Sequence, residues 1–222
     1  MCGRFTLTLD PAELKEAFAD FSFPARFAPR YNIAPSQPVL AVANDGRRTA
    51  DFFLWGLIPA WAKDPAIGGR LINARGETLA EKPAFRGSYK YKRCLILADG
   101  FYEWQPQPGK KSKLPHYIRL KGGKPFALAG LWDEWNSPDG SAVRTCTIVT
   151  TGPNELMAAI HNRMPVILHP EDQGRWIEPG AATPASLNPL LQPFPASEME
   201  AYPVSTLVNT PANDRAECIA PA

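Results

Sequence analysis

Apolar residues fall along this chain in short runs, and their spacing changes once near the start. Leu14, Ala17 and Phe18 recur at helical spacing behind a clear start signal. Asp10 suits an N-cap, Pro11 suits the first helical position, and Glu13 completes a capping box. Beyond Pro24 the pattern changes to brief apolar or alternating runs bounded by turn formers. These runs predict strands at 39–42, 49–54, 94–97, 101–104, 117–120, 126–131, 143–150 and 166–168. Asn44-Asp45-Gly46, Pro108-Gly109, Gly122-Gly123 and Pro138-Asp139-Gly140 supply turns between several of them. Helical patches are expected at 77–82, 154–160 and 171–176, and the Pro- and Ala-rich stretch 179–195 reads as a loop with one short helix. The strands follow one another without long intervening helices. That argues against a parallel doubly wound sheet and predicts an α+β fold with a mainly antiparallel, barrel-like β core. A few short helices lie at its periphery, and residues 1–222 form a single domain.

Composition sharpens this picture in one respect. The 222 residues include 24 prolines, about twice the usual ~5% share, which disfavours a helical bundle because each proline removes a backbone donor. No apolar run approaches the ~18–20 residues of a membrane-spanning helix. The opening MCGRFTLTLDPAEL lacks a signal-peptide core, so a cytoplasmic location without membrane attachment is expected. Four dispersed cysteines (Cys2, Cys94, Cys146, Cys218) and three dispersed histidines show no metal-ligand spacing, and the thiols are expected to be reduced. The net charge of +2 hides an uneven distribution. Residues 62–125 carry 14 basic and 5 acidic side chains, whereas 126–222 carry 4 and 11. A central basic block suits phosphate binding. Solvated lysines on a hairpin loop, such as Lys110, Lys111 and Lys113, account for it equally well.

Cys2 is the most unusual candidate. Removal of Met1 would leave an N-terminal cysteine whose amine and thiol sit on adjacent carbons. An α-amino pKa of about 7.7–8.0 leaves roughly a tenth of the amine neutral and nucleophilic at pH 7. Such an aminothiol can form an imine with an aldehyde and close it to a five-membered thiazolidine. Alternatively its thiolate attacks a carbonyl, or the residue is idle. Glu103 lies between Tyr102 and Trp104, where aromatic surroundings would raise a carboxyl pKa and suit acid–base work. Strand alternation also allows it simply to face solvent. His161 follows an apolar helical patch and either acts as an acid–base group or answers the helix dipole. Asn73 and Arg75 follow the apolar pair Leu71-Ile72, with Glu77 two residues on.

The order of these pieces carries more than any one of them. Cys2-Gly3-Arg4-Phe5, Arg30-Tyr31-Asn32-Ile33-Ala34-Pro35 and Trp55-Gly56-Leu57-Ile58-Pro59 with Trp61 come first. Asn73-Ala74-Arg75 with Glu77-Thr78, Arg93-Cys94, and Asp99-Gly100-Phe101-Tyr102-Glu103-Trp104 follow, then Ala129-Gly130-Leu131-Trp132. Thr150, Pro153-Asn154, Ile160-His161, Arg163-Met164-Pro165, Val204-Ser205 and Val208-Asn209 complete the series. This ordered set resembles the SRAP family (SOS response-associated peptidase domain) from residue 2 to about residue 209.

The resemblance implies a sensor of abasic sites in single-stranded DNA that crosslinks covalently to the damaged sugar through the N-terminal cysteine. It implies catalytic roles for Cys2, Asn73, Glu103 and His161. Glu103 would assist opening of the sugar ring, His161 would serve imine formation and reversal, and Asn73 would hold the sugar. Arg4, Arg75 and Arg163 would bind flanking phosphates, with Thr150 in support. A wedge that blocks duplex is implied too, with Trp61 and the Ile58-Pro59 turn as candidates. No metal or organic cofactor is implied, the protein is expected to act as a monomer, and a bacterial member would associate with the nucleoid. Two other classes remain open: a thiol peptidase using Cys2, limited to self-processing or not, and a noncatalytic single-strand-binding module.

Overall fold

The computed structural model describes residues 2–222. Among these residues the strands are β1 (Phe5–Leu7), β2 (Arg30–Ile33), β3 (Pro38–Ala43), β4 (Ala50–Trp55), β5 (Asn73–Arg75), β6 (Arg93–Ala98) and β7 (Gly100–Pro106). They continue with β8 (Lys113–Leu120), β9 (Phe126–Asn136), β10 (Ala142–Thr151), β11 (Met164–Pro165), β12 (Ile167–Leu168) and β13 (Met199–Pro203). The helices are short: α1 (Pro11–Ala17), α2 (Arg86–Tyr91), α3 (Glu155–Ala158), α4 (Pro170–Trp176) and α5 (Pro184–Leu187).

Two sheets organise the chain. In the first, β10, β4, β3, β6 and β9 pair in that order, and β9 pairs back onto β10 to close a barrel. Every pairing in this ring is antiparallel except β4 with β10. Short strands extend it, with β5 and β11 on β10 and β12 on β9. The second sheet is open and antiparallel, in the order β13-β8-β7-β1-β2. The α+β, barrel-like architecture expected from the run of short strands is therefore present. No helix among the described residues is long and apolar enough to cross a membrane.

Barrel strands buried on both faces lose the alternation of a half-exposed strand and read as continuous apolar runs. β6 is such a strand, buried at all six positions. Trp176 of α4 covers it, fully buried, with Nε1 donating to the Cys94 carbonyl at 3.0 Å. Arg93 is buried beside it, and its guanidinium donates to the carbonyls of Trp176, Lys90 and Glu178 at 2.7–2.8 Å. A buried charge of this kind is tolerated because its donors are satisfied.

The Asp10 capping box forms as expected, with Asp10 Oδ1 accepting from Glu13 N and Glu13 Oε2 accepting from Asp10 N. The patch expected at 171–176 is α4, whereas the other two shrink. The 77–82 patch is a 3₁₀ turn at Gly76–Thr78 followed by irregular turns. Pro83 limits it, because a proline disfavours helical geometry at the residue before it. The 154–160 patch is α3 alone, with Asn154 serving as its N-cap. α2, within a Gly-containing stretch, has no counterpart among the expected helices. β9 runs on past residue 131 through Asp133 and Glu134 to Asn136. Asp133 is buried there because its carboxylate accepts from Lys92 Nζ at 2.6 Å and from the Ala60 amide at 2.8 Å.

Candidate active site

β1 carries Cys2 just ahead of it, and this strand is held by more than its backbone ladder. Asp99 is buried, and its carboxylate accepts from the Thr6 hydroxyl and from the Thr8 amide and hydroxyl at 2.6 and 2.5 Å. The Tyr117 hydroxyl lies 2.9 Å from Thr6 Oγ1. That approach requires the adjoining Gly100, because a Cβ there would sit 2.1 Å from the Tyr117 oxygen. Phe5 pairs with Phe101, so the same register brings Gly3 alongside Glu103. The chain start is thus fixed against β7 by buried polar groups.

Cys2 is fully buried, and its carbonyl accepts from Asn73 Nδ2 at 2.8 Å. Asn73 stands in β5, which pairs in parallel with β10, and Ala74 between Asn73 and Arg75 is buried in the core. Alternation therefore sets Asn73 and Arg75 on one face. The Asn73 amide oxygen is buried and has no hydrogen-bond partner among the described residues. Arg75 is exposed.

Glu103 does not face solvent, the simpler reading of its strand position; it is 2% exposed. Burial pushes its carboxyl up to about 7, and the positive charge of Lys113 works against that rise. His161 Nε2 lies 3.8 Å from Glu103 Oε2. His161 Nδ1 is held against the Arg163 backbone, 3.1 Å from its amide nitrogen and 3.2 Å from its carbonyl oxygen, which aims Nε2 at Glu103. Burial holds His161 below its usual range. The Cys2 thiol is pushed up, first by burial and then by the negative charge of Glu103. Cys2, Asn73, Glu103 and His161, chosen from four separate stretches of sequence, form one cluster.

The four expected phosphate contacts fare differently. Arg163 grips Glu77 through both ends of its fork, Nη1 to Oε1 at 2.5 Å and Nη2 to Oε2 at 3.0 Å. Its Nη2 also donates to the Thr150 carbonyl at 2.7 Å. Thr150 is fully buried, and its hydroxyl accepts from the same nitrogen at 3.2 Å. It holds an arginine where an open contact was expected. Arg4 donates through Nη1 to Asn32 Oδ1 and to the Val208 carbonyl, each at 2.8 Å, and stacks over Trp104. Trp104 adjoins Glu103 in β7 and so points to the opposite face. The structure therefore gathers Arg75 and Arg163 near the cluster and directs Arg4 to the other side of the sheet. Trp61 is 62% exposed, whereas Ile58 is buried.

Sequence reading passes over the groups that hold the site in place. Asp99 reads as a turn residue and Asn32 as part of a motif. Asn32 is fully buried, accepts from Arg4 and donates through Nδ2 to the carbonyls of Thr210 and Asn213. The one available signal is a polar residue set between strand-forming neighbours, which does not name its partner.

The family's sequence model, described as SOS response associated peptidase (SRAP), matches residues 1–211. The chain belongs to the SRAP family. This SRAP chain is 50% identical over 222 residues to the "Abasic site processing protein YoqW" of Bacillus subtilis, with 99% of each covered. It is 32% identical over 265 residues to the "Abasic site processing protein HMCES" of Gallus gallus, covering 100% of this chain and 78% of that protein. A crystal structure of a Bacteroides thetaiotaomicron protein superposes on the SRAP chain with a TM-score of 0.89 and 26% identity, over 100% of both chains.

Proposed function

We propose that this protein processes abasic sites, the activity in its relatives' names, by forming a covalent thiazolidine between Cys2 and abasic single-stranded DNA. The observation that carries this reading is the gathering of buried Cys2 and Glu103 with half-buried Asn73 and His161 in one cluster at the start of the chain. The removal of Met1 that the reaction requires concerns a residue outside those described.

The opened sugar offers its C1′ aldehyde to the Cys2 amine. Nitrogen adds to the carbonyl carbon, the carbinolamine loses water, and an imine results. Cys2 Sγ then adds to the imine carbon, and nitrogen takes up the proton that the thiol gives away. The net change is aldehyde plus aminothiol to thiazolidine plus water, with no redox step. Glu103, titrating at about 7, is able both to donate a proton to the departing hydroxyl and to accept one from the thiol near neutrality. His161, with its Nε2 toward Glu103, passes protons in the reverse reaction that releases the DNA. The Asn73 amide fixes the Cys2 backbone through Nδ2 and offers its oxygen to the sugar.

Arg75 and Arg163 bind the flanking phosphates, since an arginine fork matches phosphate geometry. Arg4 and Thr150 act from within the fold, one fixing the chain start and the other orienting Arg163. Exposed Trp61 gives an extruded base a surface on which to stack. The buried thiol supports this order of events, amine first and sulfur second. A thiol peptidase needs a thiolate as its opening nucleophile, and burial disfavours that form here.

The test is a denaturing gel after incubation with single-stranded DNA carrying or lacking an abasic site. The parent forms a heat-stable adduct with the abasic strand only. Cys2→Ala keeps an N-terminal amine, cleaves the strand through a transient imine and forms no stable adduct. A heat-stable adduct in Cys2→Ala contradicts the thiazolidine. Cleavage of peptides without any abasic DNA, lost in Cys2→Ala, would favour the peptidase.

A further inference from the structure

Glu77 has no role in the reaction just described, yet it occupies the fork of an arginine assigned to DNA. Its carboxylate is bound in bidentate fashion by Arg163 at 2.5 and 3.0 Å. The two partners are unequally covered: the Arg163 side chain is 15% exposed and that of Glu77 is 54% exposed. Glu77 therefore lies over the guanidinium on its solvent side. Arg163 Nη2 is otherwise committed to Thr150, and Nε is buried with no partner among the described residues. An incoming phosphate consequently meets a fork whose outward donors are already taken. The same carboxylate is held below the usual range, chiefly by the Arg163 hydrogen bonds and also by the charges of Arg163 and Arg75. It thus sits within the field of both arginines that flank the cluster. Beyond it opens a cavity of about 450 Å³ lined in part by Gly76, Glu77, Ala80, Glu81, Thr151 and Gln192. That space gives the carboxylate room to swing aside.

We propose that Glu77 is a built-in phosphate substitute that competes with DNA for the Arg163 fork and so weakens binding of undamaged strands. The inference rests on the reading of Arg163 as a phosphate ligand. Carboxylate and phosphate offer a guanidinium the same pair of acceptor oxygens, so one excludes the other from the fork. A half-exposed ion pair is worth little on its own, which makes it displaceable. The device sets a threshold: a strand that contributes only backbone contacts must displace Glu77 unaided. A strand that also forms a covalent bond at Cys2 is retained afterwards.

The experiment compares the parent and Glu77→Gln for binding of an undamaged oligothymidylate, across a series of salt concentrations. The variant binds about twofold to fivefold more tightly, in keeping with loss of a weak competing pair. Its salt dependence steepens by about 0.7 in slope, the share of one further phosphate contact on a single strand. The gain disappears in the double variant Glu77→Gln/Arg163→Ala, which ties it to the fork. Weaker or unchanged binding by Glu77→Gln, with parental melting behaviour, overturns the proposal and makes Glu77 a strut that orients Arg163. Parental crosslinking to an abasic strand is measured alongside. Its absence would overturn the functional reading, while the oligothymidylate comparison still decides the role of Glu77.

Discussion

The barrel and the open sheet beside it both bury their strands, but outside Arg93 and the polar positions of β9 and β10 the barrel buries only apolar side chains, and the open sheet does not. β3 and β6 of the barrel are apolar and buried almost throughout, with Val39, Leu40, Leu95, Ile96 and Leu97 at 2% exposure or less. The open sheet and its margins bury Thr6, Asn32, Asp99, Glu103 and His116. Buried polar groups are costly unless satisfied, so they persist where something holds them in place. Here Asp99 holds β1, and β1 holds Cys2 against Glu103. The barrel supplies stability and the open sheet supplies position. The difference teaches where chemistry is to be sought: among buried polar residues of short strands, away from the apolar centre.

The sharpest way to break this contrast is at Glu103. Glu103→Gln keeps the shape and removes the titration, and it slows adduct formation by about 10²–10⁴, the usual worth of acid–base assistance. The same variant gains stability at high pH. A carboxyl raised from 4.5 to about 7 on folding leaves the native state holding more protons than the unfolded chain between those values. Parental stability therefore falls as pH rises from about 4.5 through 7, by up to about 3 kcal/mol. Denaturant titrations across that range show the fall in the parent and not in Glu103→Gln. A parental rate in this variant removes Glu103 from the reaction.

A paired experiment sharpens the division of labour. In the barrel, a Cβ on Gly130 would lie 2.7 Å from Cys94 Sγ and 2.9 Å from Ile96 Cδ1. Gly130→Ala overpacks that wall, costs about 1–3 kcal/mol and leaves the adduct rate of the folded protein unchanged. Thr6→Val costs a similar ~1–3 kcal/mol by taking a donor from buried Asp99, and it also slows the adduct several-fold. Thermal melts and initial rates read both effects. Equal rates in the two variants would mean that β1 does not position Cys2.

The same division explains what is legible in the sequence. Barrel strands show themselves because long apolar runs between turn formers have few other uses, and the expected run at 94–97 lies inside β6. β1, β2, β5 and β13 do not register, since three to five residues such as Asn73–Arg75 are too few and too polar to display a period. These are the strands that build or brace the site. The ordered motifs name Cys2, Asn73, Glu103 and His161 as candidates, whereas the geometry that joins them is not readable. Nothing in the spacing tells that Glu103 is buried, that Arg4 turns to the Trp104 face, or that Glu77 fills the Arg163 fork.

The smallest expected effect lies at the rim. Arg75 is exposed, and Arg75→Ala weakens binding to abasic and undamaged single strands by a similar factor. With one phosphate no longer neutralised, the salt dependence flattens by about 0.7 in slope. An unchanged slope takes Arg75 out of the DNA path.

The central claim is that the N-terminal amine and thiol of Cys2 together capture the aldehyde. Intact-mass spectrometry of the purified protein, before and after incubation with abasic single-stranded DNA, tests it directly. The account predicts a chain lacking one methionine residue that gains one oligonucleotide less one water, with the modified peptide beginning at Cys2. A retained Met1 on the crosslinked species, or a bond mapped to a lysine, would contradict it.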